Sequence, residues 1–119
     1  MADQMKDTLF LLDAAIPDTA GTDGERFCKD CLIVDGLLAA FPERAANIEV
    51  VRVPYPRPRE AVVAVAGEEL QNLPLLMFAD GDDDGEADAH HDGRAFATDI
   101  NALLDALHSR HGFPRRLGA

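Results

Sequence analysis

The chain has no tryptophan, one tyrosine and two cysteines, and its 11 Lys and Arg face 22 Asp and Glu. Two cysteines are too few for a small disulfide-stapled scaffold, and 119 residues hold a core without staples. The formal net charge of −11 repels phosphate backbones and anionic headgroups, so neither nucleic acid nor a membrane surface is an expected partner. There is no apolar run of about 18 residues to span a bilayer. The first seven residues carry no basic stretch followed by an apolar one, so a cytoplasmic, unexported protein is expected. What is present is 47% hydrophobic residue content, enough for one folded interior. The reading is a single domain over 1–119, with an ordered core at about 7–112 and a basic tail over 113–119.

Short apolar runs and helical periodicities alternate along the chain. Thr8 to Leu12 is a continuous apolar run between Asp7 and Asp13, as in a strand covered on both faces. A turn-rich stretch from Ala14 to Phe27 leads to Cys28-Lys29-Asp30-Cys31. Beyond it, Val34, Leu37, Leu38 and Phe41 fall on one side of a helix that Pro42 should end. Ile48 to Val53 is β-branched and bounded by Asn47 and Pro54, which predicts a second strand. Pro58 is placed to open a second helix running to about Leu70, with Val62, Val65, Ala66 and Leu70 as its apolar face. Leu73 to Phe78 reads as a third strand and Gly93 to Ala97 as a fourth, returning as a hairpin through the Asp- and Gly-dense stretch between them. Ile100, Leu103, Leu104 and Leu107 then define a last helix, capped by Thr98 or Asp99 and stopped by Gly112 and Pro114.

The resulting β-α-β-α-β-β-α order implies an α/β domain: a four-stranded mixed sheet with helices on both faces. With CxxC at the start of the first helix, a Leu-Pro step opening the third strand and an Asp before the last helix, the chain resembles the thioredoxin superfamily in its glutaredoxin-like form. Leu73 to Gly112 is also similar to the second half of a glutathione-transferase N-terminal domain. More narrowly, Phe27-Cys28, Tyr55-Pro56-Arg57-Pro58-Arg59, Gly67-Glu68-Glu69 with Gln71, and His111-Gly112-Phe113-Pro114 resemble a small bacterial family of thioredoxin-like proteins defined as a domain of unknown function. The resemblance implies a CxxC thiol–disulfide oxidoreductase with no organic cofactor of its own. Its substrate is a protein or small-molecule disulfide, and glutathione is a candidate co-substrate.

Four pairs of residues carry that expectation. Cys28, at a helix N-terminus, is where unsatisfied N–H groups and the helix dipole favour a thiolate, which makes it the nucleophile. Cys31, one turn later, is the resolving thiol. Arg26 and Lys29 flank the pair and favour a thiolate, while Asp30 opposes them. Pro74 resembles the superfamily's cis-proline, with Leu73 offering its backbone to an extended substrate. Asp99, with Thr98, occupies the slot that in glutaredoxins and glutathione transferases meets the γ-glutamyl end of glutathione, and either residue serves equally as an N-cap. Arg57 and Arg59 are candidate contacts to an anionic substrate, or solvated side chains.

Metal readings are weaker. Asp80, Asp82, Asp84 and Gly85 match the first part of a calcium loop, but His91 stands where a bidentate Glu is needed, so a solvated hairpin tip is expected. His90 and His91 would complete a zinc set with the cysteines only if the hairpin tip met the helix terminus, which the topology opposes. His108 and His111 show no ligand partners. Two alternatives to an oxidoreductase stay open: a thioredoxin-fold binding or adaptor module without turnover, and metal or iron–sulfur binding by the two cysteines across a dimer.

Overall fold

The computed structural model describes residues 6–17, 24–80 and 85–118. A five-stranded mixed sheet carries the fold, in the order β2-β1-β3-β5-β4. Strand β1 (Asp7–Leu12) pairs parallel with β2 (Ile48–Val53) and antiparallel with β3 (Leu75–Met77). Strand β3 pairs antiparallel with β5 (Arg94–Ala97), and β5 with the edge strand β4 (Ala89–His91). Packed against a core on each face of the sheet, β1 needs apolar residues on both of its faces, which is why its alternation is lost. Leu9 and Leu11 pack into one core with Val34, Leu76, Ala97, Leu103 and Leu107. Phe10 joins the other, with Val53, Val62, Ala66, Leu75 and Phe96.

Helices α1 (Lys29–Ala40) and α4 (Ile100–His111) therefore cover one face, and α3 (Glu60–Ala66) the other. Helix α1 ends where Pro42 begins a separate turn, α2 (Pro42–Ala45), and Leu37, Leu38 and Phe41 pack partly buried against the first core. A bidentate pair from Arg52 to Asp35, at 2.8 and 2.7 Å, ties α1 to β2. Helix α4 is bounded as its sequence suggests. The Asp99 carboxylate accepts from the amides of Asn101 and Ala102, and Gly112 takes the left-handed conformation at φ 76°.

Three boundaries differ from the sequence reading. The sheet has five strands rather than four, because Ala89–His91 forms a hairpin with β5 around Asp92-Gly93. Both turn residues have positive φ, 53° and 81°, as a two-residue type I′ turn demands. The return to β3 is thus not a simple hairpin. Helix α3 is also shorter than Pro58 to Leu70. It opens at Glu60, where the carbonyl of Arg59 takes the amides of Val62 and Val63, and it stops at Gly67, whose φ of 88° leaves the helical region. A Cβ at Gly67 would lie 2.9 Å from the His91 ring, so the helix end and β4 meet where only glycine fits without a shift. Finally, Phe113 belongs to the core and not to a tail. It is fully buried, and its ring meets that of Phe41 edge-on at 6.3 Å.

At the far end of the sheet from the cysteines, Asp7 is only 3% exposed and accepts four hydrogen bonds. Arg110 gives two, from Nε at 2.7 Å and Nη2 at 2.8 Å; His111 Nε2 gives one at 2.7 Å and the Ala79 amide one at 2.8 Å. Arg110 also reaches Asp80 at 2.8 Å and lies over the Phe78 ring. Burial pushes the Asp7 carboxyl up, and the hydrogen bonds from His111 and Arg110 more than offset it, holding the group well below the usual carboxylate range. Among the described residues, no helix is long and apolar enough to cross a membrane.

Candidate functional site

Cys28 is the N-cap of α1, in extended conformation at φ −87° and ψ 114°. In place of the usual oxygen, its sulfur accepts the amide N–H of Cys31 at 3.2 Å, so one unsatisfied donor of the first turn points at Sγ. The Cys28 thiol in turn lies 3.9 Å from the Leu73 carbonyl, toward which it donates. It is partly exposed. Cys31, one turn on, is 3% exposed, and the two sulfurs are not joined to each other. Burial and the neighbouring Cys28 push the Cys31 thiol up to about 12, against a weaker opposing hydrogen bond with the Leu12 backbone. One thiol is thus reachable and held against helix donors, while the other stays protonated behind it.

The Leu73–Pro74 peptide is cis, and it closes the floor beside Cys28 just before β3 begins. From there a groove of about 600 Å³ runs between the Tyr55–Arg59 turn and the N-terminus of α4. Leu73, Pro74, Thr98 and Asp99 all line it, so four of the eight residues singled out from sequence share one surface. Lys29 faces elsewhere. It lines a second groove of about 500 Å³ between α1 and α4, with Ile33 and Leu104 on its walls. Arg26 pairs through its backbone with Ile16, bridging the two ends of the turn-rich stretch; residues 18–23 lie outside the described residues.

The N-terminus of α4 holds a partner that sequence reasoning missed. Asp88 accepts the amides of Thr98 and Asp99 at 2.9 and 2.8 Å and the Thr98 hydroxyl at 3.0 Å. With the Asp99 carboxylate itself turned to Asn101 and Ala102, the N–H donors that a helix start offers to an external carboxylate, such as that of a γ-glutamyl group, are taken by internal ones. Asp88→Ala should lower stability by about 1–2 kcal/mol, read as a fall in melting temperature, because three donors at a helix start lose an anion. No loss would show that α4 is held by its own N-cap alone.

Two further residues have no simple sequence signal. Arg59 is only 6% exposed, and its position depends on Gln71, twelve residues on. The Gln71 side chain accepts the Arg59 amide at 2.8 Å, and the Gln71 carbonyl accepts Arg59 Nη1 at 2.8 Å. Next to the cysteines in sequence, Phe27, Leu32 and Ile33 are large apolar side chains left exposed, with Ile33 on the second groove. His90 and His91, set aside as zinc ligands on topology, are on the edge strand β4, with the His91 ring against Gly67. Of the other two, His111 bonds Asp7, and His108 Nδ1 lies 2.8 Å from the Phe113 carbonyl. Asp80 pairs with Arg110, while residues 81–84 of the calcium-like stretch lie outside the described residues.

A family model described as protein of unknown function (DUF3088) matches residues 6–115, and the chain belongs to that family. No curated protein and no solved structure matches it.

Proposed function

We propose that this DUF3088 member is a thioredoxin-like thiol–disulfide oxidoreductase, with Cys28 as the attacking thiol and Cys31 as the resolving one. The observation that carries the reading is the Cys28 sulfur, partly exposed at the α1 N-cap, 3.2 Å from the Cys31 amide, with the Cys31 side chain buried directly behind it. In the first step Cys28, as thiolate, attacks a substrate RS–SR′. A Cys28–S–S–R bond forms, the S–S bond of the substrate breaks, and R′S⁻ leaves and takes up a proton. Cys31 then attacks the Cys28 sulfur, its proton passing to the departing RS⁻, which releases RSH and closes a Cys28–Cys31 disulfide. The substrate gains two electrons and the dithiol loses two. Two external thiol groups, from two monothiols or one dithiol, return them and end as a disulfide, restoring both cysteines.

The site separates the two roles. The burial that pushes Cys31 up to about 12 keeps it protonated until the mixed disulfide forms, so the first attack falls to Cys28. Glutathione fits less well as a tightly held co-substrate, because Asp88 occupies the α4 donors and would have to be displaced. It serves better as one of several external thiols. Exposed Phe27, the residue before Cys28, gives the dithiol an apolar rim for a substrate. The same rim favours a second reading, a binding module without turnover.

Reduction of bis(2-hydroxyethyl) disulfide by dithiothreitol separates the two. The protein in catalytic amount is expected to accelerate the reaction over many turnovers; no acceleration beyond dithiothreitol alone would leave only the binding module.

A further inference from the structure

Arg59 brings a charge into the fold that no carboxylate pairs with among the described residues. Its Nε donates to the Tyr55 carbonyl at 2.8 Å, its Nη1 to the Gln71 carbonyl at 2.8 Å, and its guanidinium lies over the Tyr55 ring, 5.1 Å from the centroid. Among the described residues its Nη2 has no partner. Burying an arginine on neutral acceptors alone is costly, and a chain with 22 acidic residues has no shortage of carboxylates to offer. Burial, and then the neighbouring Arg57, push the Arg59 guanidinium down from its ordinary value. Both Arg59 and Arg57 line the groove that holds Leu73 and Pro74, and Arg57 spends one N–H on Asn72, at 3.0 Å.

The groove therefore has two unlike ends. At the α4 end, the backbone donors are occupied by Asp88 and by Asp99 itself, and the groove wall carries the acids of Asp99 and Asp30. At the end formed by the Tyr55–Arg59 turn, two guanidinium groups keep unspent donors. Volume sets the size of the occupant, since about 600 Å³ lies in the range of small-ligand clefts.

We propose that the groove selects low-molecular-weight disulfides that bear a carboxylate, with Arg59 and Arg57 holding that carboxylate while the disulfide lies against Cys28. Arg59 is fixed before the substrate arrives, so little side-chain freedom is lost on binding. The net charge of −11 repels such a substrate at long range, and the preference arises from these local contacts. This specificity rests on the oxidoreductase reading.

The test measures kcat/KM, with dithiothreitol as reductant and its own rate subtracted, for 3,3′-dithiodipropionate, bis(2-hydroxyethyl) disulfide and cystamine. The anionic disulfide is expected to exceed the cationic one by at least about 10-fold, the size of one charge-assisted hydrogen bond. Arg59→Gln should collapse the ratio toward one. Arg57→Gln, at an exposed side chain, should reduce it in part and carries the comparison should Arg59→Gln not fold. Equal kcat/KM across the three disulfides overturns the specificity and leaves the oxidoreductase standing. Should no disulfide be turned over, the oxidoreductase reading falls, and calorimetric binding of 3,3′-dithiodipropionate to Cys28→Ser/Cys31→Ser protein decides the anion site. Saturable binding weakened by Arg57→Gln upholds it, and no binding overturns it.

Discussion

Cys28→Ser is expected to lower the catalysed reduction of bis(2-hydroxyethyl) disulfide by on the order of 1,000-fold or more, to the rate of dithiothreitol alone. A serine hydroxyl at the N-cap keeps the hydrogen bond from the Cys31 amide, so α1 should start at the same place and the melting temperature should hardly move. What is lost is the sulfur, the only atom at that position able to form a disulfide. Cys31→Ser gives a different failure. The first exchange still occurs at the partly exposed Cys28, but the buried thiol that would attack the mixed disulfide is gone, so a covalent Cys28–substrate adduct should accumulate and appear by mass spectrometry. A Cys28→Ser protein that retains the parent rate would remove Cys28 from the chemistry.

The second large effect concerns stability. Asp7→Asn should cost about 3–5 kcal/mol, the range for removing one member of a buried ion pair, because Arg110 and His111 then keep their burial without the carboxylate they donate to. The pH dependence follows from the same contacts. The folded state holds the Asp7 carboxyl below its unfolded value near about 3.9, so the unfolded chain binds the extra proton as pH falls. The contribution is complete above that value and drains away progressively below it. Urea unfolding at a series of pH values should show the parent losing stability from about pH 4 downward, with Asp7→Asn losing less over the same interval. Parallel curves for the two proteins would place the acid sensitivity elsewhere.

Much of this molecule is readable from local pattern. The apolar run of β1, the β-branched run of β2 and the spacings in α1 and α4 each report a surface that the sheet or the cores cover, and those elements stand where the patterns put them. Cys28, Cys31, Leu73 and Pro74 are readable as well, because a CxxC ahead of a helical repeat and a proline opening a strand are both local features. Other parts depend on contacts between distant residues. Asp7 looks like a strand boundary until Arg110 and His111 arrive from the last helix. Asp88 sits in a stretch so dense in aspartate that nothing marks it as the partner of Thr98 and Asp99. Arg59 looks like one more solvated arginine, and only the Gln71 contacts explain its burial. Strand β4 had a signal, the Asp92-Gly93 pair that favours a two-residue turn, hidden among neighbouring aspartates and glycines.

The central claim is that Cys28 and Cys31 form one reversible redox couple. Equilibration of the metal-free protein against glutathione buffers of defined oxidised-to-reduced ratio, followed by acid quenching and mass analysis, measures it directly. The account predicts a single two-electron transition between the dithiol and an intramolecular Cys28–Cys31 disulfide, the same from either direction. Protein that stays reduced across the series, or that ends only as glutathione adducts of Cys28, would contradict it.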